Sequence, residues 1–163
     1  MIEPLVPEHW DDVARIYAEG IATRLATFET EVPSWEAWDR SHLEQHRFVA
    51  TNNGAVLGWA ALAPVSDRCV YGGVAENSVY VAEAARGHGV GRGLLDALVA
   101  SSEQAGIWTI QTGVSRRTRR ASGCTKALAF ASSGAASVSA SSTASGATCS
   151  CSSDAAPSWI SRP

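Results

Sequence analysis

Val79-Tyr80-Val81-Ala82-Glu83-Ala84-Ala85-Arg86-Gly87-His88-Gly89-Val90-Gly91-Arg92-Gly93-Leu94-Leu95 is the stretch on which the reading of this chain turns. Its first residues close a β-branched and aromatic run that predicts a strand over 74–81. Leu94, Leu95, Leu98 and Val99 then recur at helical spacing and predict a helix over 91–104. Glycines at 87, 89, 91 and 93 lie at the join. They carry no Cβ and turn freely, so successive N–H groups can face one anion at the positive end of the helix dipole. Strand, glycine turn and helix in that order suit a pyrophosphate.

Outward from this unit, Ile107-Trp108-Thr109-Ile110-Gln111-Thr112-Gly113-Val114 predicts a further strand, parallel to the first because a helix crosses between them. Upstream, 48–51 and 56–62 read as strands joined across Asn52-Asn53-Gly54, a strong hairpin signal. A short strand over 2–6 precedes a helix whose Val13, Ile16 and Tyr17 share one face, and Gly20 is expected to end or interrupt it. Residues 33–47 predict another helix, opened by Pro33 and Ser34 and carrying Trp35, Trp38 and Leu43. His42 and His46 sit four apart on it, as a metal pair or, lacking a third ligand, as a solvated face. The fold class is α/β (α+β), a mixed sheet flanked by helices.

Length allows one domain, but the composition changes within it. Fifteen of the sixteen acidic residues precede Ser115, and three of the four cysteines follow it. The chain divides into 1–114 and a Ser/Ala-rich 115–163 that holds Leu128, Val138 and Ile160 as its only branched aliphatics. Such a tail cannot bury enough to offset its chain entropy, and disorder is expected. A net charge of -3 gives no sign of a nucleic-acid partner. Arg116, Arg117, Arg119 and Arg120 read as a solvated run. The N-terminus lacks a basic and apolar leader, and no apolar run has the length of a membrane span. The expectation is a cytoplasmic protein without membrane or metal, and Cys69, alone before Ser115, suits a reducing compartment. Cys149-Ser150-Cys151 is half a metal site with no second pair.

Three motifs carry a family resemblance. Arg86-x-x-Gly89-x-Gly91 resembles the acyl-CoA loop of the GCN5-related N-acetyltransferases (GNAT), whose pattern is Arg or Gln, two residues, Gly, one residue, Gly or Ala. It departs from the G-x-G-x-x-G placement of a dinucleotide fold. Glu76-Asn77-Ser78-Val79-Tyr80-Val81 resembles the Glu-Ser-x-Val-Tyr-Val strand of the phosphinothricin acetyltransferases, and Ala26-Thr27-Phe28-Glu29 their acceptor loop. Arg68, eight residues before Glu76, matches the arginine that binds the acceptor's acidic group there, a task its planar fork suits.

The resemblance implies a GNAT fold in which the strands at 74–81 and 107–114 splay to admit pantetheine. It also implies transfer of acetyl from acetyl-CoA, the co-substrate, to the primary amine of a small amino-acid-like acceptor such as phosphinothricin or methionine sulfoximine. Glu76 would be the general base. Val79, Tyr80 and Val81 would pair with pantetheine through their backbone and polarise the thioester. Arg86, Gly87, His88, Gly89, Val90, Gly91 and Arg92 would hold the pyrophosphate, and Phe28 and Arg68 would line the acceptor site. A complete chain would be a homodimer. On the residues alone, Glu76 in a strand is more often a solvated side chain, and Phe28 reads equally as a core plug and Arg68 as a loop cation.

The resemblance stops at Val114, and the genetic code offers a reason. Ser115 to Ser122 can be written TCC CGG AGA ACG CGG CGA GCC TCC; with one T in front, the same bases read Phe-Pro-Glu-Asn-Ala-Ala-Ser-Leu. Gly123 to Phe130 regroup likewise into Arg-Leu-His-Glu-Gly-Leu-Gly-Phe. Together these resemble the Asn-x-x-Ser and Leu-His-Glu-x-x-Gly-Phe signature that follows this strand in the family. The tail therefore reads as a frameshifted family C-terminus, leaving 1–114 an incomplete acetyltransferase domain. Two other outcomes follow, a non-functional product and a CoA-binding module without turnover.

Overall fold

The computed structural model describes residues 1–113; the tail at 115–163, with its expected disorder, lies outside the described residues. Strand β1 (Ile2–Pro4) leads through a 3-10 turn (Pro7–His9) into helix α1 (Trp10–Ala22), and a connection without regular structure reaches α2 (Trp35–Ser41). Then come β2 (Arg47–Asn52), β3 (Ala55–Pro64), a 3-10 turn (Cys69–Tyr71), β4 (Val74–Val81), α3 (Val90–Gln104) and β5 (Thr109–Thr112). The sheet order is β1-β2-β3-β4-β5, antiparallel up to β4 and parallel between β4 and β5. The predicted α/β architecture is therefore present.

Strand alternation divides the core. Trp59 and Ala61 of β3 face Val13, Ile16 and Tyr17 of α1 and Trp38 of α2. Ala60 and Leu62 face the other way, with Ala75 of β4 and Leu94 and Leu98 of α3. The β2–β3 hairpin turns where predicted, because Asn53 (φ 49°) and Gly54 (φ 81°) both take the left-handed conformation that a two-residue turn demands.

Three expectations are corrected. Gly20 does not end α1: the helix runs to Ala22, and Gly20 is buried inside it, where an added Cβ would come within 2.6 Å of the Tyr80 ring. Packing against that ring outweighs the local breaker rule. The second helix stops at Ser41 instead of 47. Its C-terminal carbonyls are captured by the buried Arg47, which donates to Asp39 O and Leu43 O at 2.8 Å, to His42 O at 2.7 Å and to the Asp39 carboxylate. His42 and His46 consequently share no helix face. His42 stacks on Trp38 (ring centroids 4.2 Å), and His46, 3% exposed, hydrogen-bonds Ser101 Oγ at 2.7 Å. Cys69 is disulfide-bonded, so its isolation before Ser115 is no argument for a reducing compartment.

The start of β5 is pinned by one residue. Gly73 O accepts from Trp108 N at 3.0 Å and Thr109 N at 3.1 Å, while the Trp108 ring occupies the space a side chain at 73 would need.

Candidate active site

β4 pairs with β3 from Ala75↔Pro64 to Val81↔Gly58, but with β5 only from Val74↔Thr109 to Asn77↔Thr112. Ser78 to Val81 therefore present an edge that no strand covers among the described residues. This is where the resemblance expected the strands to part. Glu76, Ser78 and Tyr80 alternate onto the α1 face of β4, so Tyr80 offers this edge its backbone only. Its ring lies back against Trp59 (centroids 4.7 Å, 18°) and Tyr17 (4.8 Å).

Immediately beyond, the chain makes a 3-10 turn at Glu83–Ala85 and enters the glycine segment. Gly87 (φ 86°) and Gly89 (φ 80°) are left-handed, and Gly89 caps α3. The first amide of this stretch to bond within the fold is Gly93 N, to Gly89 O at 3.0 Å. The N–H groups from Gly87 to Arg92 take no acceptor among the described residues, and residues 86–89 are exposed. Six unsatisfied donors at a helix N-terminus form an anion cradle of the kind that holds phosphate.

Two contacts that sequence reasoning missed brace this cradle. Arg86 Nε donates to Val81 O at 3.2 Å, folding the side chain back over the turn. Glu19 of α1 accepts the Glu83 N–H at 2.9 Å through one carboxylate oxygen and binds Arg15 at 3.0 Å through the other. The i, i+4 spacing of Arg15 and Glu19 was visible as a helix pair; the partner 64 residues away was not. Arg92 is exposed and lies 3.7 Å from Asp96, one helical turn on.

Glu76 is exposed, opposite Gln111 in register, with Oε1 3.5 Å from where a Cβ on Gly113 would sit. No hydrogen bond or ion pair engages its carboxylate among the described residues. Arg68 is exposed on the β3–β4 connection, and Phe28 is fully exposed, so it is not a core plug. No hydrogen bond, ion pair or ring contact among the described residues joins Phe28, Arg68 and Glu76. His88 is exposed within the glycine turn. No group of His, Cys, Asp or Glu among the described residues could hold a metal ion, and no helix there is long and apolar enough to cross a membrane.

The profile of the Acetyltransferase (GNAT) family matches residues 10–130. The chain belongs to the GNAT family. Among curated GNAT relatives, YwnH of Bacillus subtilis (strain 168), provisionally named a phosphinothricin acetyltransferase, is 36% identical over 107 residues, 61% of this chain and 66% of that protein. The phosphinothricin N-acetyltransferase of Alcaligenes faecalis is 36% identical over 102 residues, 59% of this chain and 51% of the relative. The aligned stretch thus spans less than two thirds of either relative. Among solved GNAT structures, a phosphinothricin acetyltransferase from Sinorhizobium meliloti, in complex with AcCoA, superposes with a TM-score of 0.72 at 26% identity, covering 78% of this chain and 72% of its own.

Proposed function

We propose that this chain is an acetyl-CoA-dependent N-acetyltransferase acting on the primary amine of a small amino-acid-like acceptor such as phosphinothricin or methionine sulfoximine. The observation that carries the reading is the junction of the uncovered edge at Ser78 to Val81 with the six free amides from Gly87 to Arg92. An extended pantetheine arm ending in a pyrophosphate has those two needs in that order. The relatives named for phosphinothricin support the acceptor class.

Acetyl-CoA supplies an activated acyl group as its thioester. The chain's own part is to hold the pyrophosphate at Gly87 to Arg92, beside the Arg86 charge, and to align the arm along β4. It must also free the amine of its proton, since only the neutral amine attacks. Glu76 is the base in this reading, being an exposed carboxylate on the strand that holds the thioester. Phe28 and Arg68 would meet the acceptor, Arg68 through its acidic group.

We also propose the division of the chain into an incomplete domain at 1–114 and a tail at 115–163 translated in a shifted frame. The family profile reaches residue 130, so the boundary rests on composition and on the codon regrouping. That composition favours a second reading, a product that binds CoA without turnover or does not function.

Calorimetry with acetyl-CoA and a phosphinothricin acetylation assay test both readings on this chain and on one with a base restored at the Val114 codon. Transfer by the restored chain alone, lowered about 10²–10⁴-fold by Glu76→Gln at unchanged acetyl-CoA affinity, is the expected result. Arg68→Ala should raise the acceptor KM. A restored chain that binds no acetyl-CoA refutes the proposal, as does coding DNA whose codons do not regroup.

A further inference from the structure

A polar residue interrupts an apolar row on the α3 face of β4. Ala75 is buried there with Leu94 and Leu98 of α3, and Val79 packs against the same cluster. Asn77, between them on the strand, shares their face. Its neighbours in register are Leu62 on β3 and Thr112 on β5, and the Leu62 N–H is already donated to His46 O at 2.9 Å. Asn77 Oδ1 is buried and has no hydrogen-bond partner. Asparagine is depleted in strands, and an unpaired buried acceptor costs stability, so neither local propensity nor the core accounts for this residue.

Its position does. Asn77↔Thr112 is the last rung that β4 and β5 share, and the uncovered edge begins at the next residue, Ser78. At its other end that edge leads into the glycine cradle. An arm whose pyrophosphate sits at Gly87 to Arg92 therefore runs along Val81 to Ser78 and brings its far end, which carries the thioester, to the rung of Asn77. Pantetheine has a secondary amide one short ethylene link from its sulfur.

We infer that Asn77 is a further binding residue for the acyl donor, its Oδ1 accepting the N–H of that amide where β4 and β5 part. The torsion that turns a carboxamide is broad, so the oxygen can swing from its buried position toward the opening beside it. This deepens the transferase reading and rests on it for the arm. The pyrophosphate is left to the cradle, so the two ends of the donor are held by separate groups.

The test titrates acetyl-CoA, and ADP, which has the pyrophosphate without the arm, into the full 163-residue chain and into its Asn77→Ala and Asn77→Leu variants, with a ligand-free melt of each. One ordinary hydrogen bond corresponds to roughly 2- to 10-fold in affinity. Both variants should bind acetyl-CoA more weakly by about that factor, with ADP affinity within about twofold of the parent. At least one variant should match or exceed the parent Tm, because the unpaired oxygen is gone. Unchanged acetyl-CoA affinity in either variant, or a parallel loss for ADP, overturns the inference. So does a lower Tm in both, which would mean that the amide is bonded inside the fold, to protein or to trapped water. A parent chain that binds no acetyl-CoA is a failure of the transferase reading, and the inference falls with it; a parent and variants that bind alike are a failure of the inference alone.

Discussion

Substituting Gly89 by alanine separates the anion cradle from the fold that carries it. Gly89 has φ 80°, and an added Cβ would meet nothing within 4 Å, so the cost is conformational and not steric. An L-residue held left-handed costs about 1–2 kcal/mol. Against a domain stability of roughly 5–15 kcal/mol, the chain stays folded. Gly54 is a matched control, with φ 81° and again nothing within 4 Å, but it lies in the β2–β3 turn. The two variants should lose similar stability, a Tm drop of several degrees each. Only Gly89→Ala should disturb the amides around the α3 N-terminus. A hydrogen bond to a charged group contributes about 1.5–3 kcal/mol, so losing one weakens acetyl-CoA binding about 10- to 100-fold. Calorimetric titration of both variants, beside their melts, reads this directly. Unchanged affinity in Gly89→Ala, or equal weakening in Gly54→Ala, would show that the glycine turn is merely a helix start.

Two further outcomes follow from the interior. Burial holds His42 and His46 below their ordinary value of 6.5, so the unfolded chain takes up protons first. Stability should be full above about pH 6.5 and decline as the pH falls below it; melts from pH 8 to 5 should show the slope, and His46→Gln should flatten part of it. Arg47→Met would leave the carbonyls of His42 and Leu43 without their donor, while Asp39 O keeps the His42 N–H. At about 1–3 kcal/mol per orphaned group, urea unfolding should register at least about 2 kcal/mol, with Arg47→Lys a partial rescue; a loss under about 1 kcal/mol would contradict the accounting.

What could be read from sequence was what is decided locally. The β4 run, the Asn53-Gly54 turn and the glycine segment each specify their backbone within a few residues, so their places were legible. The end of α2 was not, because the apolar spacing of Trp35, Trp38 and Leu43 continues through a point where Arg47 takes the helix carbonyls. His46 looked solvated because its partner Ser101 is 55 residues away. Gly20 looked like a stop because nothing nearby in sequence announces the Tyr80 ring.

The carbonyl of Gly73 acts as the zero mark of a ruler. With two amides of the incoming chain hooked on that one oxygen, β5 enters at a fixed rung and leaves β4 after Asn77. The opening beside Ser78 to Val81 is therefore positioned by an attachment at the far end of the strand. Parallel strands advance about 3.3 Å per residue, so a two-residue slip, the smallest that keeps every side chain on its own face, would move the opening by roughly 7 Å. That is longer than several bonds of any chain lying in it, and on the transferase proposal a thioester would no longer fall beside Glu76. A glycine with no functional group of its own, kept bare by the tryptophan ring above it, thus governs where the uncovered stretch of β4 begins, at the other end of the sheet's last pairing.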